Sequence, residues 1–265
     1  MIIDFHAHMG QGVPGSGDLL QSAITPEMVV GPAREAGIDA TVVFPVTYPT
    51  YLAANQEIMA AVAQYPQELI GFGRINPTTD QAMQELEAAQ GGLRGLKLHH
   101  GCDGFQLLSS QVHTVLERCA ELSWPVIFHS GGVVPELIEL ARAHPQTIMV
   151  FGHMGCMWDW QAARQCMAAA REMDNVFLET SSMMVIWMIE EAGRAVPHQV
   201  LFGSDAPAMH PKVEMEKIRC ARLPEGTKAM ILGGNAARLL RLEAEQSGGR
   251  RQAPALRGPS AKGRS

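Results

Sequence analysis

The chain has 265 residues, 46% of them hydrophobic and 18% charged, which fits a soluble globular protein with a sizeable core. Its net charge of −6 argues against nucleic acid as a general partner, because phosphate binding leans on Lys and Arg. No apolar run reaches bilayer length, and the five cysteines form no CxxC pair, so the expectation is a cytoplasmic protein with reduced thiols and no membrane partner.

Short apolar runs rich in Val, Ile and Phe alternate with helical patterns along the chain. The predicted strands are 2–8, 40–46, 69–75, 95–99, 126–130, 148–153, 176–180 and 200–205, spaced at about one βα unit. Eight such units predict an α/β fold, a single-domain (β/α)8 TIM barrel over residues 1–245. An open doubly wound sheet is the alternative, but His8-Met9-Gly10-Gln11-Gly12 follows the first strand where that fold more often carries GxGxxG.

The helices between these strands carry their own signals. Thr25-Pro26-Glu27 reads as an N-cap, a first-turn proline and an acid on the helix dipole, opening a helix that ends near Gly37. Helical stripes cover 109–123, 158–173, 183–196 and 227–242. The irregular stretch 9–24 would lie over the C-terminal face of the barrel, as a functional loop or a solvated one. Residues 246–265 form a basic tail rich in Gly, Pro, Ser and Arg that cannot bury enough surface to order, so disorder is expected there.

Strand C-termini converge on one mouth in such a barrel. His6 and His8, two apart on a strand, point the same way. His99 and His100 end the fourth strand, His129 the fifth and His153 the sixth, while Asp205 ends the eighth. Six of the ten histidines thus stand at strand C-termini with one aspartate. Imidazole and carboxylate suit Zn²⁺, which activates water when one coordination position stays open. His113, His144 and His198 fall on a helix or on the opposite face and read as structural. His210 is near enough to reach the mouth, though nothing demands it.

The chain resembles the amidohydrolase superfamily, specifically its amidohydrolase-related, aminocarboxymuconate-semialdehyde-decarboxylase-like branch. The resemblance spans residues 1–242. It rests on Asp4-Phe5-His6-Ala7-His8, Arg94-Gly95-Leu96-Lys97-Leu98-His99, His129-Ser130-Gly131, Gly152-His153-Met154-Gly155 and Leu201-Phe202-Gly203-Ser204-Asp205-Ala206-Pro207, with Ile231-Leu232-Gly233-Gly234-Asn235 near the end. It implies one divalent metal, usually zinc, held by His6, His8, His129 and Asp205. His153 would be the catalytic imidazole, and Asp205 would also take a proton from water.

Lys97 is expected to pair with an acidic substrate; in other branches a lysine here is carboxylated and bridges two metals. TatD-type deoxyribonucleases share the opening but carry a glutamate where Lys97 stands, which weighs against a nuclease. Arg74 could grip a carboxylate bidentately or simply reach solvent. His99 joins Arg74 and Lys97 as an expected substrate contact. Glu179, Ser181 and Ser182 are candidate substrate contacts or partners of a ligand histidine.

The expected activity is metal-dependent hydrolysis of an amide, lactone or related bond in a small, acidic molecule. Non-oxidative decarboxylation is the alternative reaction, and an inactive metal-binding scaffold the alternative of another class. Relatives of this branch are often dimers, so a homodimer is an expectation.

Overall fold

The computed structural model describes residues 1–12 and 22–242. The expected tail at 246–265, the end of the expected domain at 243–245 and the central part of the 9–24 loop lie outside the described residues.

The eight predicted strand positions are all present. They are β1 (Ile3–Met9), β2 (Ala40–Pro45), β3 (Leu69–Gly71) with β4 (Gly73–Arg74), β5 (Leu96–Leu98), β6 (Val126–Phe128), β7 (Met149–Phe151), β8 (Val176–Glu179) and β9 (Val200–Leu201). β3 and β4 share the third position and are parted only at Phe72. All pairings are parallel, in the order β1-β2-β3 and β4 through β9. The Phe72 amide donates to the Val43 carbonyl (2.8 Å) and the Gly73 amide to Gly95 (2.9 Å), so the two ladders continue into each other. Closure comes from the Phe5 amide on Phe202 (2.8 Å) and the Asp205 amide on His6 (2.7 Å). The sheet is therefore a closed (β/α)8 barrel, and the open-sheet alternative is excluded.

Every strand residue is buried, as parallel strands covered by helices require. One set of side chains packs inside the barrel: Ile3, Phe5, Val42, Phe44, Phe72, Ile127, Val150, Phe177 and Leu201. Ala236, Ala237 and Leu240, at the chain's last described helix, close the bottom. The alternate strand residues, such as Val126, Phe128, Met149 and Phe151, pack outward among the helices. Interior layers of large apolar residues leave polar chemistry only one place to collect, the open C-terminal end.

The helices expected at 25–37, 109–123, 158–173 and 183–196 are present, and further helices that the sequence pattern does not place individually fill the remaining βα units. α1 (Pro26–Ala36) ends on Gly37, whose φ of 76° is the left-handed turn a glycine accepts readily. Thr25 has the extended N-cap backbone, but its side chain does not cap the helix. α2 is Leu52–Gln64 and α3 is Ala82–Ala89. The unpredicted α4 is a single turn, His100–Asp103, directly after β5. Then come α5 (Ser110–Glu121), α6 (Val134–Ala143), α7 (Trp160–Glu172), α8 (Ile186–Ala195) and α9 (Pro211–Cys220). The expected last helix is interrupted. It begins as α10 (Glu225–Ala229), widens into a π-helical turn at Met230–Gly234 and ends as α11 (Asn235–Leu239). Among the described residues, no helix is long and apolar enough to cross a membrane.

Candidate active site

β1 does more than alternate. Its pairing with β2 slips between Asp4 and Ala7, so β1 carries one extra residue there. Such a bulge reverses which face later side chains take. Ile3 and Phe5 pack inside the barrel while Ala7 and Met9 pack outside it. His6 and His8 therefore stand at the mouth directly above the apolar interior, each edge-on to Phe44 at 5.0 and 4.9 Å between ring centroids.

Asp205 arrives from the other end of the chain. Its φ is +64°, a left-handed backbone uncommon for anything but Gly, Asn and Asp. Asp4 fixes this turn: its carboxylate accepts from the Ser204 amide (2.8 Å), the Ser204 hydroxyl and the His6 amide (3.1 Å). Burial pushes the Asp4 carboxyl up to about 7, against those hydrogen bonds. The outcome is a tight cluster. Asp205 Oδ1 lies 3.0 Å from His8 Nε2 and 3.5 Å from His6 Nε2, and Ser182 Oγ donates to Asp205 Oδ2 (2.9 Å).

Glu179 organises the opposite side of His6. It accepts from His6 Nδ1 (2.7 Å) and from the Ser181 amide and hydroxyl, the latter at 2.8 Å. Ser181 in turn meets His153 Nδ1, through Oγ at 2.9 Å and through its carbonyl at 3.1 Å. One carboxylate thus orients two imidazoles. A side chain at Gly203 would overlap the Glu179 carboxylate and His6, which explains the glycine before Ser204-Asp205. His153 has φ +57° and Ser182 φ +55°. With Asp205 and Met154 (φ +51°) this places four left-handed non-glycine residues in the turns at one mouth, the clustering of backbone strain that functional sites show.

The electrostatics are consistent with ligation. Burial drives the His6 and His153 imidazoles down, with Lys97 lowering His6 further. Burial likewise takes His129 down to about 2. Burial would raise Asp205, but the hydrogen bond from His8 and the neighbouring imidazoles hold it well below the usual carboxylate range. Neutral imidazoles beside an ionised carboxylate are the protonation states a divalent cation needs.

Two groups of donors converge among the described residues: His6, His8 and Asp205, and His6, His153 and Glu179, with ligand atoms within 4.8 Å of one another in each. His8 Nδ1 is buried without a hydrogen-bond partner. The first group, two imidazoles and a carboxylate, fits a divalent metal. In the second, Glu179 already accepts from His6 Nδ1 and Ser181, so it reads as the carboxylate behind a ligand.

The remaining expected site residues divide. His129 stands at the mouth but outside both converging groups; its ring lies flat on His99 at 4.1 Å and meets His153 edge-on at 5.1 Å. Lys97 is buried over the Phe44 ring with Nζ 3.3 Å from His6 Nε2, at the edge of the donor cluster. His99 caps α4, its Nδ1 accepting from the Cys102 amide at 3.2 Å.

Arg74 requires a correction. It neither reaches solvent nor offers an open fork to a ligand, because it is fully buried against Asp103, Nε to Oδ2 at 3.1 Å and Nη2 to Oδ1 at 3.2 Å. Thr47 Oγ1 and the Pro45 carbonyl take further guanidinium hydrogens at 2.9 and 3.3 Å, and the Tyr51 ring lies 5.3 Å away. Its bidentate carboxylate is internal. Asp103 went unremarked in the sequence, since an acid twenty-nine positions from an arginine carries no local signal; Asp4 stood in the opening motif without a role assigned to it.

A closed barrel with imidazoles and a carboxylate converging at its C-terminal mouth defines a metal-site enzyme barrel as the class. The family model described as Amidohydrolase matches residues 3–242, and the chain belongs to that family. No curated protein matches the sequence. Solved structures match the fold over nearly its whole length. A probable 2-pyrone-4,6-dicarboxylic acid hydrolase from Acinetobacter baumannii is 17% identical, with 91% of this chain and 99% of that one covered and a TM-score of 0.72. The 5-carboxyvanillate decarboxylase from Sphingomonas paucimobilis is 18% identical, covering 91% and 98%, at 0.71. A Burkholderia multivorans amidohydrolase with bound zinc is 15% identical, covering 91% and 99%, at 0.70.

Proposed function

We propose that the protein is a hydrolase of an amide, lactone or related bond in a small molecule, dependent on one divalent metal, zinc being the first choice. The observation that carries this reading is the convergence of His6, His8 and Asp205 beside a buried His153, whose ring lies 5.0 Å from that of His6. A bound divalent ion would supply Lewis acidity toward water and carbonyl oxygen.

The chain's own groups do the rest. Asp205, held by a hydrogen bond from Ser182, accepts the proton of an attacking water. His153, held at Nδ1 by Ser181, presents its other nitrogen to accept or deliver a proton. Lys97 brings a positive charge to the edge of the cluster, where an anionic group or a developing oxyanion is stabilised. Glu179 keeps Nδ1 of His6 protonated and Nε2 free to ligate.

Lys97 also favours a second reaction, non-oxidative decarboxylation, because the same charge would seat a carboxylate. Structural neighbours include both reaction types. A panel of lactones, amides and aromatic acids, assayed with zinc-loaded protein for ring or amide opening and for CO₂, separates them. Opening without CO₂ is expected. CO₂ release alone supports the decarboxylase, and no turnover with any loaded metal leaves only a metal-binding scaffold. We place the enzyme in the cytoplasm and treat it as a homodimer, on the composition and the family.

A further inference from the structure

A cavity of about 280 Å³ opens beside the catalytic cluster, lined by His129, Gly131, Gly132, His153, Cys156, Met157 and Trp158. It shares two imidazoles with the site, so whatever fills it is continuous with the reacting centre. A Cβ on Gly131 would stand 3.1 Å from His129 Nε2, so the glycine leaves the His129 edge uncrowded. Beyond the two histidines the wall holds no charged side chain, only glycine backbone, a thiol, a thioether and an indole.

The rim continues in the same character. The Met184 amide donates to the Met157 carbonyl (3.0 Å), tying the loop after β8 to the loop after β7. Trp158 is 67% exposed, Met184 71% and Trp187 46%. Large apolar side chains left in water around an active-site mouth mark a binding surface. Of the cations near the mouth, Lys97 faces His6, while Arg74 is taken by Asp103, Lys217 by Glu214 and the Met183 carbonyl, and Arg164, over the Trp187 ring, by Glu191.

From this arrangement we infer that the substrate carries, beyond its reacting bond, an uncharged aromatic or apolar group that seats in this cavity against Met157 and Trp158, with Trp158 as a specificity-determining residue. The cavity accommodates one or two fused rings. Any negative charge on the substrate belongs at the Lys97 end. The inference deepens the proposed hydrolytic reading and rests on it for the position of the reacting bond.

The test uses zinc-loaded protein and a hydroxamate series read by calorimetry: acetohydroxamate, 2-naphthohydroxamate and 4-carboxybenzohydroxamate. Burying a ring system is worth about 10- to 100-fold in affinity, so the naphthyl compound should bind tighter than acetohydroxamate by that factor. In Trp158→Ala, whose side chain is too exposed for the fold to depend on it, the advantage should shrink to about 3-fold. An unchanged advantage in Trp158→Ala, or tightest binding by the carboxylate-tailed compound, overturns the inference. A second arm titrates metal-free protein with 2-naphthamide, which lacks the chelating head. Binding there that is lost in Trp158→Ala, with no hydroxamate binding zinc-loaded protein, keeps the cavity assignment and sinks the metal reading. Binding of neither probe overturns the cavity assignment.

Discussion

Two buried clusters of charge stand near one barrel mouth, one around Arg74 and one around His6, and they are built to opposite rules. Around Arg74 the charges are matched. A guanidinium faces a carboxylate in bidentate geometry, Thr47 and a carbonyl take further hydrogens, and the Tyr51 hydroxyl also donates to Asp103. Around His6 the groups are crowded but poorly matched. Three imidazoles and two carboxylates converge, a lysine nitrogen faces an imidazole nitrogen, and one imidazole nitrogen has no partner. Burial of polarity therefore does not by itself mark function. A cluster complete within the chain is architecture, and one that its own residues cannot complete points to a ligand.

The sharpest way to break this contrast is His153→Asn. It should lower turnover about 10²- to 10⁴-fold while bound metal stays unchanged, as removal of a general acid–base imidazole does. Loss of metal in that variant would make His153 a ligand and transfer the catalytic role elsewhere.

Asp103→Asn probes the other cluster. Stranding the Arg74 charge should cost about 3–5 kcal/mol, lowering the melting temperature by about 10 °C, with metal content retained. A variant as stable as wild type but impaired in turnover would return Arg74 to the substrate.

A smaller effect is expected from Glu179→Gln, about 10- to 100-fold in metal affinity, since the residue orients His6 without joining the donor set. Equilibrium metal titration measures it, and unchanged affinity would remove Glu179 from the site.

Smallest is a pH effect from a third cluster, far from the mouth. His113 Nδ1 and His144 Nε2 are 2.7 Å apart, and burial, with His113 adding to it, lowers the His144 pKa. A histidine whose folded pKa is depressed binds fewer protons folded than unfolded, so its stability contribution is present above the unfolded value of about 6.5 and is lost as pH falls below it. Melting temperature should decline below about pH 6.5, and His144→Gln should flatten part of that slope. An identical slope in the variant would show that His144 takes up no proton on unfolding.

Much of this molecule was legible in the sequence, and the exceptions share a cause. The eight strands and the helices at 26–36, 110–121, 160–172 and 186–195 follow from local apolar periodicity, which a barrel of repeated βα units preserves. His6, His8, His153 and Asp205 were visible because strand ends in this fold share one mouth. The bulge at Asp4–Ala7 was not, since an extra residue in one strand shows only against its partner's register. Arg74 was misread for a related reason: its partner Asp103 sits in a helical turn, α4, that the sequence did not announce. The His99–His129 stack is likewise a contact between two strand ends, with no trace in the spacing of either.

The most direct test of the contrast is metal content after purification without chelator and loading with zinc, measured by elemental analysis on wild type, Asp205→Ala and Asp103→Asn. The expected result is about one equivalent in wild type and in Asp103→Asn, and almost none in Asp205→Ala, which should stay folded. Equal metal in wild type and Asp205→Ala, or none in either, would contradict the assignment of His6, His8 and Asp205 as the metal centre.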